Sequence, residues 1–135
     1  MSPIREQLNL FWIAVAFFTR IPVPASVEFS QASLNRASRY FPAVGWLTGV
    51  LCAAALWLFM QVFPQDVAVV LSIAVSLLLT GCFHEDGLAD SSDGMGGGWT
   101  REQKLSIMKD SRIGTYGAAA LWVSCLLYTS DAADE

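Results

Sequence analysis

Paired cysteines are missing from this chain. Its three, Cys52, Cys82 and Cys125, stand singly and far apart. None has the C-x-x-C spacing of a zinc framework, and an odd count argues against a disulfide scaffold. Cys82 and His84 are two soft ligands close together, but without a second pair they do not complete a zinc site. Cys52 and Cys125 are expected to be small buried hydrophobes. Charge is scarce as well, at 15% of residues. There is none in the 23 residues from Phe41 to Phe63, and none in the 17 from Val67 to Phe83. The glycine-rich stretch Gly94–Gly98 lacks the Gly-Lys-Ser/Thr ending of a P-loop. No internal repeat is detectable.

What is present is apolar. Of 135 residues 54% are hydrophobic, with five Trp, eight Phe and a mean hydropathy of +0.46. That is above the usual soluble composition, and the class it indicates is a membrane protein. The net charge of −4 owes three units to Asp131, Asp134 and Glu135, so it does not describe an acidic surface. Residues 127–135 break an apolar run abruptly and read like translated sequencing-adapter sequence. The expected organisation is therefore residues 1–126 as the N-terminal part of a single polytopic membrane domain, with 127–135 as a non-native tail.

Along the chain, residues 8–18 form an apolar run short of the roughly 20 residues a membrane span needs, so an interfacial or re-entrant helix is expected there. Pro22 and Pro24 force an extended exit from it. Ser30 is placed to cap a short helix carrying Leu34, Ala37 and Phe41 on one side, with Arg36 and Arg39 flanking. The two long uncharged runs, joined by a turn at Pro64-Gln65-Asp66, predict a transmembrane hairpin. Gly45 and Gly49 have the G-x-x-x-G spacing that admits a second helix, or are simply tolerated. All eight basic residues lie before or after the hairpin and none in its turn, which directs both of its ends to the cytoplasm. Thr100 and Gln103 form a capping box that opens a helix reaching about Asp110. Leu105, Ile107 and Met108 give that helix an apolar side, expected to lie along the membrane surface. A further apolar span begins at Thr115.

The chemistry is concentrated between His84 and Gly98. Four of the twelve acidic residues, Glu85, Asp86, Asp90 and Asp93, fall within ten positions. Asp86, Asp90 and Asp93 are spaced i, i+4, i+7, which on a helix places them within roughly 60° of one another. Three carboxylates on one stripe repel unless a cation sits among them, and Mg²⁺ is the usual partner; the alternative is a solvated acidic helix end. Glu85 lies about 100° off the stripe, suited to supporting the metal ligands. His84 sits nearly opposite, as a base, as a holder of a substrate hydroxyl, or in a structural hydrogen bond. Gly94–Gly98 is expected to be a flexible loop, either a hinge or a place where the backbone N–H groups of Gly96 and Gly97 approach a phosphate. Lys109 and Arg112 are candidate phosphate clamps or cations at a helix C-terminus, and Arg20 is a further phosphate candidate.

Four stretches in order, Phe18-Thr-Arg-Ile-Pro-Val-Pro24, Tyr40-Phe-Pro-Ala-Val-Gly45, His84-Glu-Asp-Gly-Leu-Ala-Asp-Ser-Ser-Asp-Gly94 and Met108-Lys-Asp-Ser-Arg-Ile-Gly-Thr-Tyr-Gly117, carry a resemblance. From about residue 8 to residue 124 the chain resembles the cobalamin synthase, or adenosylcobinamide-GDP ribazoletransferase, family. The resemblance implies an all-α polytopic transmembrane helical bundle with interfacial helices in a bacterial plasma membrane, with this chain a truncated N-terminal half that is inactive by itself. It also implies a Mg²⁺-dependent transferase reaction. Adenosylcobinamide-GDP and α-ribazole, or its 5′-phosphate, are joined, GMP is released, and adenosylcobalamin or its phosphate is formed. The family's acidic motif maps onto His84, Glu85, Asp86, Asp90 and Asp93, and its second block onto Asp110, Ser111, Arg112 and Gly114. Read with the residue chemistry, this makes His84, Asp86 and Asp90 the catalytic candidates. Asp86, Asp90, Asp93 and Glu85 are the metal candidates, and Arg20, Lys109, Asp110, Arg112, Gly96 and Gly97 the substrate-binding ones. The expected partners are the small-molecule substrates and membrane lipid, with no nucleic acid.

Two other readings compete. A CDP-alcohol phosphotransferase also mounts aspartates on membrane helices, but its pattern has Ala-Arg where Ala89-Asp90 stands here, and four-residue spacing where Asp90 and Asp93 are three apart. An ion or metal transporter would carry its carboxylates midway along a span, whereas these fall at the end of one.

Overall fold

A computed structural model describes residues 3–129. Most of the proposed foreign tail, residues 130–135, lies outside the described residues. The described chain is helical, with no strand: α1 (Pro3–Phe18), α2 (Gln31–Ala37), a single 3-10 turn (Ser38–Tyr40), α3 (Phe41–Met60), α4 (Gln65–Thr80), α5 (Phe83–Gly97), α6 (Arg101–Met108) and α7 (Thr115–Thr129). They fall into two compact units, Met1–Gly81 and Cys82–Glu135.

The first unit is built on one face of α1. Leu10, Ile13 and Ala14 recur at helical spacing and, with Val15 beside them, are buried with Ala37 and Val44, with Phe11, Phe18, Tyr40 and Phe41 packed around them. The run at residues 8–18 is thus the inner part of a 16-residue helix, short of a span. Ser30 caps α2 as its sequence predicts, accepting the Ser33 N–H at 3.1 Å. Arg36 pairs with Glu6, and the Tyr40 hydroxyl donates to Gln7 Oε1 at 2.8 Å, so α2 and the 3-10 turn are fastened to α1. After α1 the Arg20 N–H donates to the Leu79 carbonyl at 2.8 Å. The Arg20 side chain lies against Gly81, where φ is +66° and a Cβ would run into the guanidinium. Both facts require glycine there.

Helices α3 and α4 lie side by side, and the Ser72 hydroxyl donates to the Cys52 carbonyl across them at 3.2 Å. Their turn falls at residues 61–64 rather than at Pro64-Gln65-Asp66. Pro64 is the N-cap of α4, and Asp66 is left in its first turn, where a carboxylate favours the helix dipole. The continuous run Gln31–Met60 is long and apolar enough to cross a membrane. A second span is reached only if α4 and α5 are taken together. Of the expected hairpin, α3 has the length and apolarity of a span by itself, and α4 has them only together with α5. The chain turns left-handed at Gly81 and again at Cys82 (φ 60°), which stops α4 at 16 residues. A Cβ added at Gly45 or Gly49 would meet nothing within 4 Å among the described residues, so the G-x-x-x-G face of α3 carries no helix here.

Candidate active site

The acidic motif is helical, as its spacing requires. Helix α5 starts after Cys82, whose carbonyl accepts the Asp86 N–H at 2.9 Å, and Glu85 and Asp86 occupy the first turn, where negative charge is favoured. On propensity alone α5 is a poor helix, because each interior glycine costs about 1 kcal/mol relative to alanine. It forms because its neighbours use the space that Gly94 and Gly96 leave. A Cβ at Gly94 would stand 2.6 Å from Met108 Cγ, and one at Gly96 would enter the Tyr116 ring.

Two expectations are corrected by this packing. Gly94–Gly97 is the last stretch of a helix, not a flexible loop, so the N–H groups of Gly96 and Gly97 belong to a helical ladder rather than to an open phosphate cradle. The apolar side of α6 is turned onto those glycines through Met108 and, at Gly97, Ile107; only Leu105 of the three is exposed. The capping box of α6 is present. Thr100 Oγ1 accepts the Gln103 N–H, and Gln103 Oε1 accepts the Thr100 N–H, both at 3.2 Å. The helix ends at Met108, two residues earlier than expected.

The three aspartates share a helix face but not their surroundings. Asp86 is exposed and Asp90 half-buried, and neither carboxylate makes a hydrogen bond or ion pair among the described residues. Asp93 is only 8% exposed, and both its oxygens are occupied by backbone amides at the start of α7. Gly114 N–H donates to Oδ2 at 2.7 Å and Gly117 N–H donates to Oδ1 at 2.8 Å. Hydrogen bonds to an ionised acceptor contribute about 1.5–3 kcal/mol each. The three carboxylates therefore do not converge on one point, and no group of three or more His, Cys, Asp or Glu suited to a metal occurs among the described residues. What remains open is a pair, Asp86 and Asp90, one helical turn apart. Beside them in sequence is Glu85, whose Oε2 is buried without a hydrogen-bond partner.

That donor set suits Mg²⁺ of a particular kind. Mg²⁺ is commonly held by one or two carboxylates and completes its shell with water and substrate phosphate, not with an all-protein cage. His84 is exposed at the start of α5, its ring 5.5 Å from that of Phe83. Lys109 and Arg112 are exposed in the turn between α6 and α7. Asp110 takes the Arg112 guanidinium on both oxygens and also accepts the Arg112 backbone N–H at 3.1 Å. The Arg112 contact lowers the Asp110 pKa to about 2, and the same contact raises that of Arg112. Arg20 belongs to the other unit, where it covers Gly81.

Sequence reasoning missed the part played by Gly114 and Gly117. A Cβ on either would collide with Asp93, and one on Gly117 would also lie 2.9 Å from the Ala89 carbonyl. The available signal was a Gly-x-x-Gly opening an apolar run, which lets α7 meet α5 with its backbone.

The chain is thus an all-helical protein with at least one helix fit to cross a membrane, and with two open carboxylates on a glycine-rich helix that α6 and α7 clasp. It belongs to the cobalamin-5-phosphate synthase family, which matches residues 10–133. Among its relatives, adenosylcobinamide-GDP ribazoletransferase of Ralstonia pickettii is 59% identical over 128 residues, covering 94% of this chain and 50% of the relative. The enzymes of the same name from Vibrio parahaemolyticus and Shewanella frigidimarina are 56% and 55% identical, covering 93% and 90% of this chain and 47% of each relative. The chain spans about half the length of the curated relatives it matches. No solved structure matches it.

Proposed function

We propose that the full-length protein is a polytopic enzyme of the bacterial plasma membrane that joins adenosylcobinamide-GDP to α-ribazole or its 5′-phosphate. A hydroxyl of the ribazole attacks a phosphorus of the pyrophosphate, the bond from that phosphorus to the GMP oxygen breaks, and GMP leaves while the hydroxyl proton is lost. The products are GMP and adenosylcobalamin or its phosphate. Family membership supports the reaction class. The observation that carries the site is the pair Asp86 and Asp90, two carboxylates on one face of α5 with no protein partner among the described residues.

In this reading Asp86 and Asp90, with Glu85 beside them, hold Mg²⁺. When bound, the ion supplies charge neutralisation at the pyrophosphate and the departing GMP. Arg112, oriented by Asp110, and Lys109 bind phosphate oxygens from the α6–α7 turn. His84, on another side of α5, is proposed to hold the attacking hydroxyl. The grouping of basic residues before and after the α3–α4 pair supports a cytoplasmic position for the acidic motif.

The test is Mg²⁺-dependent GMP release from adenosylcobinamide-GDP by the full-length protein in lipid, with Asp86→Asn and Asp90→Asn as variants. We expect release by the parent and a loss of about 100-fold or more in each variant. Full activity in both variants would overturn the site, and CMP release from a CDP-alcohol in place of GMP release would overturn the reaction.

A further inference from the structure

Asp93 stands in the acidic motif, yet its contacts are those of a helix cap. Helix α7 begins at Thr115, and the Gly114 carbonyl accepts its first helical bond, from the Ala118 N–H at 3.0 Å. Gly114 is therefore the N-cap, and Gly117, three residues on, is the position whose N–H an N-cap side chain ordinarily accepts. Gly114 has no side chain to do this. Asp93 does it from another helix, with one oxygen on the cap residue's own N–H and the other on that of Gly117. The fit is mutual, because a Cβ at position 114 or 117 would occupy the space of the carboxylate. The last aspartate of one motif and the two glycines of the other are the two halves of one joint. Turning the carboxylate away from α7 would leave the buried Gly117 amide without this acceptor.

We infer that Asp93 is a positioning residue and not a metal ligand: by capping α7 from α5 it fixes the turn that carries Arg112 against the helix that carries Asp86 and Asp90. That turn is held at both ends, by the Asp110 N–H donating to the Ile107 carbonyl at 3.0 Å and by Gly114 on Asp93. Arg112 lies two residues before the second anchor. The inference rests on the proposed function for the tasks of Asp86, Asp90 and Arg112, but the cap itself does not.

The experiment uses full-length protein in lipid nanodiscs, with Mn²⁺ as a spectroscopic probe of the metal site, and compares Asp93→Asn with Asp86→Asn and Asp90→Asn. Asp93→Asn is expected to keep Mn²⁺ affinity within about threefold, while the other two lose about tenfold or more. Amide exchange at Gly114 and Gly117 should rise about tenfold or more in Asp93→Asn. In GMP release, the losses from Asp93→Asn and Arg112→Ala should be non-additive in kcat/KM, the double variant resembling the worse single one. If Asp93→Asn does not fold, Gly117→Ala serves in its place, displacing the carboxylate without changing a charge. Loss of Mn²⁺ affinity in Asp93→Asn equal to that in Asp86→Asn overturns the inference. So do unchanged exchange at Gly114 and Gly117, or losses that multiply. Mn²⁺ binding that ignores Asp86→Asn and Asp90→Asn overturns the metal site of the proposed function instead, and the exchange measurement still decides Asp93.

Discussion

Arg112 folds back onto Asp110, with Nε 3.0 Å from Oδ1 and Nη2 2.6 Å from Oδ2, while the same carboxylate accepts the Arg112 backbone N–H. The pair closes a two-residue turn on the exposed edge of the second unit and leaves the rest of the guanidinium free. A fork held flat by its own neighbour presents its remaining N–H groups in a fixed direction, which suits a phosphate better than a freely rotating chain does.

One prediction concerns pH. The Asp110 pKa is depressed from 3.8 to about 2, first by the side-chain hydrogen bond from Arg112, so the folded turn favours the ionised form. The contribution is fully present above the unfolded value near 4 and is lost as pH falls through about 2. Between pH 5 and 8 the turn should not change. Following the Asp110 carboxyl carbon by NMR should give a midpoint near 2 in the parent and a return toward 3.8 in Arg112→Ala. A parent midpoint at 3.8 would show that the pair does not persist in solution.

A second concerns Arg112 as a phosphate ligand. Arg112→Ala should lower kcat/KM for GMP release by about tenfold or more, and Arg112→Lys should recover only part of it because an ammonium lacks the planar fork. Complete rescue by lysine would reduce the role to charge alone.

A third separates two glycines of the same helix. Gly96 lies under the Tyr116 ring, whereas a Cβ added at Gly87 would meet nothing within 4 Å. Gly96→Ala should destabilise by about 1–3 kcal/mol through overpacking, with part recovered by Tyr116→Ala. Gly87→Ala should stabilise by about 0.5–1 kcal/mol through helix propensity. Thermal unfolding in detergent reads both, and equal effects at the two positions would contradict the packing described.

A fourth tests the α3–α4 contact. Ser72→Ala removes the bond to the Cys52 carbonyl and should cost about 0.6 kcal/mol, the usual scale for such bonds between helices in lipid. A loss of several kcal/mol would mean that Ser72 does more than bridge the two helices.

Much of the helical layout was legible in the residues. Ser30 and Thr100 mark helix starts by chemistry that acts within four residues, and uncharged length alone identifies α3. The acidic motif was legible as a helix face for the same reason, since three- and four-residue spacing is a local property of the backbone. The end of α5 was not. Glycines read locally as a loop, and only Met108, Lys104 and Tyr116 arriving from α6 and α7 give Gly94–Gly98 a reason to be ordered. The fate of the three aspartates was hidden in the same way. Their spacing puts them on one side of a helix but says nothing about what faces each.

The sequence by itself determined the helical class, the apolar span, the cap positions and the family, because periodicity, hydropathy and motif order are properties of neighbouring residues. Only the tertiary structure decided that Asp93 caps α7 while Asp86 and Asp90 stay open. The amides of Gly114 and Gly117 are more than twenty residues away along the chain, and they reach that carboxylate only because two glycines lack the atoms that would keep the helices apart.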